Sequence, residues 1–121
     1  MIHYALVELY TWNAIPEERM NDYVTRQVIH GSLLTVARLR LRHGAVVPLH
    51  SHANEQISLL EAGRLRFVID GVETVAVAGQ AVRIPPHAPH SVTAEEDSVA
   101  LDLFAPVRED WLRGDDAYLR R

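Results

Sequence analysis

The 121-residue chain contains no cysteine. That excludes a disulfide framework, a thiolate metal site and a thiol nucleophile, and leaves histidine, carboxylate and amide side chains as the available metal ligands. It also fits a reducing compartment. Basic charge is in short supply: 12 Lys and Arg stand against 16 Asp and Glu, a formal net charge of -4. A phosphate backbone finds no electrostatic footprint here, so nucleic acid is not an expected partner. Long apolar runs are missing too. The opening stretch "MIHYALVELYTW" has no basic segment ahead of it and no small-residue cleavage site, and nothing approaches the ~20 apolar residues of a membrane span. These absences predict a soluble, cytoplasmic protein with no membrane partner.

What is present is a two-residue rhythm. In "LLTVARLRLR" (33–42), Thr35, Ala37, Leu39 and Leu41 share one face and Val36, Arg38, Arg40 and Arg42 the other, the pattern of a half-buried strand. His43-Gly44 ends it. Strands follow over 56–61 and 64–69, and Asp70-Gly71 lies between "FVI" and "VETVAV", a strong signal for a tight hairpin. Further strands run to Ile84, stopped by Pro85-Pro86, and through "SVTA" and "SVALDLFAP" around the acidic turn "EEDS". Residues 14–24 read as a loop or one helical turn opened by Pro16, and the tail 107–121 as a short helix broken at Gly114. Arginines 113, 120 and 121 belong to that tail, and with Arg38, Arg40 and Arg42 they read as solvated surface. Many short strands in a chain of single-domain length predict one all-β domain over residues 1–121, closed as a jelly-roll barrel.

The stretch "PLHSHANEQ" (48–56) carries the densest chemistry. In extended chain, residues of equal parity share a face, so His50, His52 and Gln56 converge while Glu55 points away, unless a bulge at Ala53-Asn54 shifts the register. Three such groups can hold a divalent ion, and His90 is the candidate fourth ligand. His3, His30 and His43 read as ordinary surface or core histidines. In "LDLFAPVREDW", Asp102 shares a strand face with Phe104 amid apolar residues. A carboxylate there is either a strand-end group paired to an arginine or a cavity-facing acid tuned by burial.

Gly44-x5-His50-x-His52-x3-Gln56-x6-Gly63 resembles the first motif of the cupin superfamily, with Gln where most members have Glu. Gly79-x5-Pro85-x4-His90 resembles the second, with His87 where Gly is usual and Ala94 where Asn is usual. The motifs span 44–63 and 79–94. The resemblance implies a small single-domain cupin barrel in which His50, His52, Gln56 and His90 bind a divalent transition metal: Zn, Ni, Mn, Fe or Co. His87 is either a loop residue at the barrel mouth or a substrate contact. A neutral amide leaves the ion its full double charge, which favours Lewis-acid over oxygen-activating chemistry.

The run "ALDLFAPVREDWL", taken with "HSHANEQ" and "IPPHAPHSVTA", resembles the small bacterial pectin-degradation cupins that ketonize unsaturated uronates. That resemblance implies Asp102 as the proton-transfer residue, Phe104 and Arg108 as contacts to a small sugar-acid substrate, and pairing into a homodimer, for which "YALVELY" is a candidate interface strand or core strand. A dioxygenase, another sugar isomerase or a metal- and sugar-binding module without turnover are the competing activities.

Overall fold

In a computed structural model the described residues are 6–121, and they form two antiparallel sheets packed face to face. The strands are β1 Glu18–Arg19, β2 Val24–His30, β3 Thr35–Leu41, β4 Val46–His50, β5 Glu55–Ala62, β6 Arg64–Ile69, β7 Val72–Val77, β8 Ala81–Ile84, β9 His90–Ala94 and β10 Ser98–Ala105. One sheet has the order β1-β2-β3-β10-β5-β8, the other β4-β9-β6-β7. The only α-helix among the described residues, α1, covers Glu109–Leu112, and short 3-10 turns cover Trp12–Ala14 and Ala117–Arg120.

The two-residue rhythm becomes the inner and outer faces of these sheets. Ala37, Leu39 and Leu41 of β3 meet Leu60, Leu65, Phe67, Val92 and Ala100 in a shared core. Sandwiching such faces buries apolar area worth roughly 25 cal/mol per Å². The Asp70-Gly71 hairpin forms between β6 and β7, and both residues have positive φ, 49° and 80°. That is the primed turn whose twist matches the flanking strands.

Gly63 joins β5 to β6 with φ +87°, and a Cβ there would lie 2.3 Å from the Asp97 carbonyl oxygen. Glycine is required on both counts. His87 sits at the position where glycine is usual in the second motif and has φ 65°.

Residues 14–24 differ from the sequence reading. The helical turn precedes Pro16 instead of starting at it, and Glu18–Arg19 pair with β2 as a short edge strand. Of the stretch "YALVELY", Tyr4 and Ala5 lie outside the described residues. Leu6, Val7 and Leu9 are in no strand and are about nine-tenths exposed, so they are not core. The tail contains the short helix, and Gly114 ends it with φ +82°.

Candidate metal centre

His50 ends β4 and His90 begins β9, and the two face each other directly across the antiparallel pair, after a register shift beyond Val47. The extended run assumed for His50, His52 and Gln56 is not one strand: β4 stops at His50 and β5 starts at Glu55. Between them the chain crosses from one sheet to the other, and because both strands present their inner faces, the three side chains still converge. Glu55 faces outward, its carboxylate 2.7 Å from Arg83 Nε.

The ligand nitrogens of His50, His52 and His90 all lie within 4.8 Å of one another. Each ring is pinned by a carbonyl two residues away: His50 Nδ1 lies 2.8 Å from Pro48 O, His52 Nδ1 3.0 Å from Asn54 O, and His90 Nδ1 2.9 Å from Ala88 O. A proton on each Nδ1 leaves the Nε2 lone pair free, which is how metal-binding histidines are oriented. Burial, then repulsion from His90 and other neighbours, lowers His50 to about 4. Burial, then Arg108 and His90, lowers His52 to about 4. Burial also lowers His90. All three rings are neutral at pH 7, the ligating form.

Gln56 is the decisive neighbour. Its Nε2 donates to Ser58 Oγ at 3.0 Å, which turns its Oε1 toward His52 Nε2, also at 3.0 Å. A neutral imidazole has one ring proton, and His52 faces two oxygen acceptors, Asn54 O and Gln56 Oε1. One of these contacts therefore sets lone pair against lone pair, and a cation bound by both Nε2 and Oε1 removes the conflict. The donor set thus fits a divalent metal held by three imidazoles and an amide oxygen.

Asp102 lies on β10 between Ala37 of β3 and Ser58 of β5. It is buried, and its carboxyl is pushed up to about 6 by that burial, against the opposing influence of a hydrogen bond with Ser58 and the charge of Arg108. It shares a cavity of about 40 Å³ with His50, Gln56, His90, Phe104 and Arg108. Phe104 packs edge-on to the His52 ring, centroids 5.6 Å apart.

Arg108 is 1% exposed. Its backbone N–H donates to Thr35 Oγ1, while Nε and Nη2 form a fork on Asp110 at 2.9 and 2.8 Å, and Nη2 also reaches Tyr118 OH at 2.8 Å. The guanidinium stacks on Phe104 and Trp111, and Arg26 stacks on Trp111 as well, at 4.6, 4.2 and 4.5 Å respectively. Arg26 in turn pairs with buried Asp116 at 3.0 Å. His87 is exposed, and its backbone N–H donates to His52 O.

Four residues of this site escaped the sequence reading. Ser58 had a usable signal, since it follows Gln56 by two residues and shares its parity. Asn54 ties the histidine loop to the carbonyls of Pro106 and Val107, and Trp111 and Tyr118 come from the tail. For these three no periodicity existed to read.

Three histidines positioned to bind a metal inside a double-sheet barrel are the architecture of a cupin, and the family model described as "Cupin domain" matches residues 37–105. The chain belongs to that family. Among its relatives, the pectin degradation protein KdgF of Dickeya dadantii (strain 3937) is 32% identical over 100 residues, covering 80% of this chain and 91% of the relative. KdgF from Halomonas sp. superposes with a TM-score of 0.82 at 25% identity, covering 88% of this chain and 99% of that one. An RmlC-like cupin from Shewanella frigidimarina NCIMB 400 gives 0.81 at 25% identity, covering 88% and 96%.

Proposed function

We propose that this chain is a metal-dependent isomerase that ketonizes 4,5-unsaturated uronates released in pectin or alginate breakdown. The observation that carries the reading is the buried Asp102, with a carboxyl near 6, in the same cavity as His50, His90, the Gln56 amide and Arg108. Kinship with a pectin degradation protein points to the same substrate class.

A divalent ion held by His50, His52, Gln56 and His90 would supply Lewis-acid stabilisation of negative charge on a substrate oxygen. The other steps belong to side chains. Arg108 holds the uronate carboxylate, a charge-assisted contact in a site where burial strengthens it. Phe104 lines the cavity and sets the plane against which the substrate lies. The cyclic hemiacetal opens as its C1–O5 bond breaks and the C1 hydroxyl proton moves to the ring oxygen, leaving an aldehyde and a free enol. Protonated Asp102 then gives its proton to the enol carbon, and its carboxylate takes the enol hydroxyl proton as that oxygen becomes a ketone. Proton count is conserved and no electrons are exchanged with a cofactor, so the product is an isomer. A carboxyl near 6 has both forms populated near neutral pH, as a shuttle of this kind requires.

Homodimer formation in the cytoplasm is part of the same reading, with exposed Leu6, Val7 and Leu9 suited to burial on a second copy. The test is turnover in heavy water. The loaded protein should consume an unsaturated galacturonate and place one deuterium on the former enol carbon, and Asp102→Asn should be slower by about 100-fold or more. An Asp102→Asn variant as fast as the parent would refute the role.

A further inference from the structure

The Tyr118 phenol oxygen stands where two donors converge. Arg108 Nη2 donates to it at 2.8 Å and Trp111 Nε1–H at 3.1 Å. Its ring stacks on the His50 imidazole with centroids 4.3 Å apart and planes 23° apart, which places it between the metal ligands and the buried cation. An oxygen accepting from a guanidinium and an indole N–H occupies the position that one oxygen of a carboxylate would take.

The cavity beneath it, about 40 Å³, has room for a few water molecules and none for a hexuronate. Ligand pockets are typically 300–1,000 Å³, so a wall must move. Apart from Arg108, Trp111, Tyr118 and Leu119, the cavity wall is contributed by strands with laddered backbones. Tyr118 and Leu119 sit on a 3-10 turn beyond Gly114, whose φ of +82° and open surroundings suit a hinge. That segment is fastened by the burial of Leu119 in the core and by a few side-chain contacts: Asp116 to Arg26 and Arg120, each at 3.0 Å, and Asn21 Nδ2 to the carbonyls of Leu119 and Arg121 at 3.1 and 2.9 Å.

We propose that Arg108 Nη2 and Trp111 Nε1–H form a carboxylate subsite beside the metal centre, and that Tyr118, carried on the hinged segment 115–121, fills this subsite until a sugar acid displaces it. Of the acceptors on Arg108, the phenol is neutral whereas Asp110 is a charged, two-point partner. Exchange at the phenol is therefore the cheaper one. The incoming carboxylate keeps Asp110 in place, gains both donors, and opens room above the histidines as Tyr118 leaves. Trp111 thereby becomes a substrate-binding residue and Tyr118 a specificity residue, favouring ligands whose negative charge competes with a phenol.

The inference rests on the sugar-acid reading above, and its test needs no turnover. Calorimetry on the metal-loaded chain compares D-galacturonate with D-galactose, the same ring without the carboxylate. Tyr118→Phe removes the resident acceptor and keeps the ring, so it should tighten galacturonate by about 3- to 10-fold and leave galactose unchanged. Trp111→Phe should weaken galacturonate by a similar factor and spare galactose. Hydrogen exchange over residues 115–121 should quicken when galacturonate binds.

Weaker galacturonate binding in Tyr118→Phe, equal shifts for both sugars, or no galacturonate binding to parent and variant alike would overturn the subsite. Unchanged exchange in the tail would overturn the hinge. Should Trp111→Phe unfold, the Tyr118→Phe comparison decides by itself. A chain that binds galacturonate in this pattern yet consumes no unsaturated uronate keeps the subsite and refutes the reaction.

Discussion

Replacing Asp102 with asparagine should stabilise the metal-free protein at neutral pH while disabling it as a catalyst. The carboxyl is buried, with a value of about 6 in the fold against an ordinary 3.8. Below 3.8 it is protonated in both folded and unfolded chains and contributes no pH dependence. Between 3.8 and 6 the unfolded chain ionises first, and stability falls by about 1.4 kcal/mol per pH unit. Above 6 the loss levels off at roughly 3 kcal/mol. Asparagine keeps the shape and a hydrogen bond to Ser58 without the charge. Urea unfolding of metal-free parent and Asp102→Asn should therefore coincide near pH 4 and separate to about 3 kcal/mol by pH 7.5, the variant being the more stable. His50 and His52 shift the other way: their lowered values add stability above 6.5 that is lost as pH falls toward 4. They are common to both proteins and cancel in the difference. A gap independent of pH, or a destabilised variant at pH 7.5, would refute the claim that burial of Asp102 outweighs what Ser58 and Arg108 return to its carboxylate.

Metal removal should lower the melting temperature, and re-adding a divalent ion at 100 times its dissociation constant should restore about 2.7 kcal/mol, read by differential scanning calorimetry. His90→Ala should abolish that shift. Gly63→Ala should cost about 3 kcal/mol or more in urea unfolding, because the new methyl meets the Asp97 carbonyl oxygen at 2.3 Å on a backbone with φ +87°. Gln56→Glu should tighten metal binding in a competition titration with a chromogenic chelator and slow turnover, since the added charge cancels half of the ion's.

Strand-borne features were legible because parity and turn chemistry are local. Asp102 and Phe104 face inward, Glu55 faces outward, and Asp70-Gly71 forms its hairpin for reasons contained in a few neighbouring residues. The convergence of His50 and His52 with Gln56 was also expected, although through a chain crossing instead of a continuous strand. β2 was harder to read, because Arg26 and Gln27 interrupt its apolar pattern: one is buried against Trp111 and Asp116, the other satisfied by the carbonyls of Trp12 and Ile15. The tail's short helix and its stop at Gly114 were legible, but its part in the site was not. Trp111 and Tyr118 reach the site through a four-residue helix and a 3-10 turn, too short to leave a period in the sequence, and their stacking partners Arg26 and His50 lie on distant strands. The fork of Arg108 on Asp110 follows from spacing only once the turn between them is known.

The most direct test of a metal centre working beside Asp102 is to follow the enol absorbance of an unsaturated galacturonate with protein stripped of metal and then titrated with a divalent ion. Consumption should vanish on stripping and return in proportion to bound ion, saturating at one ion per chain. Stripped protein as active as the loaded form, or loaded protein no faster than buffer, would contradict the account.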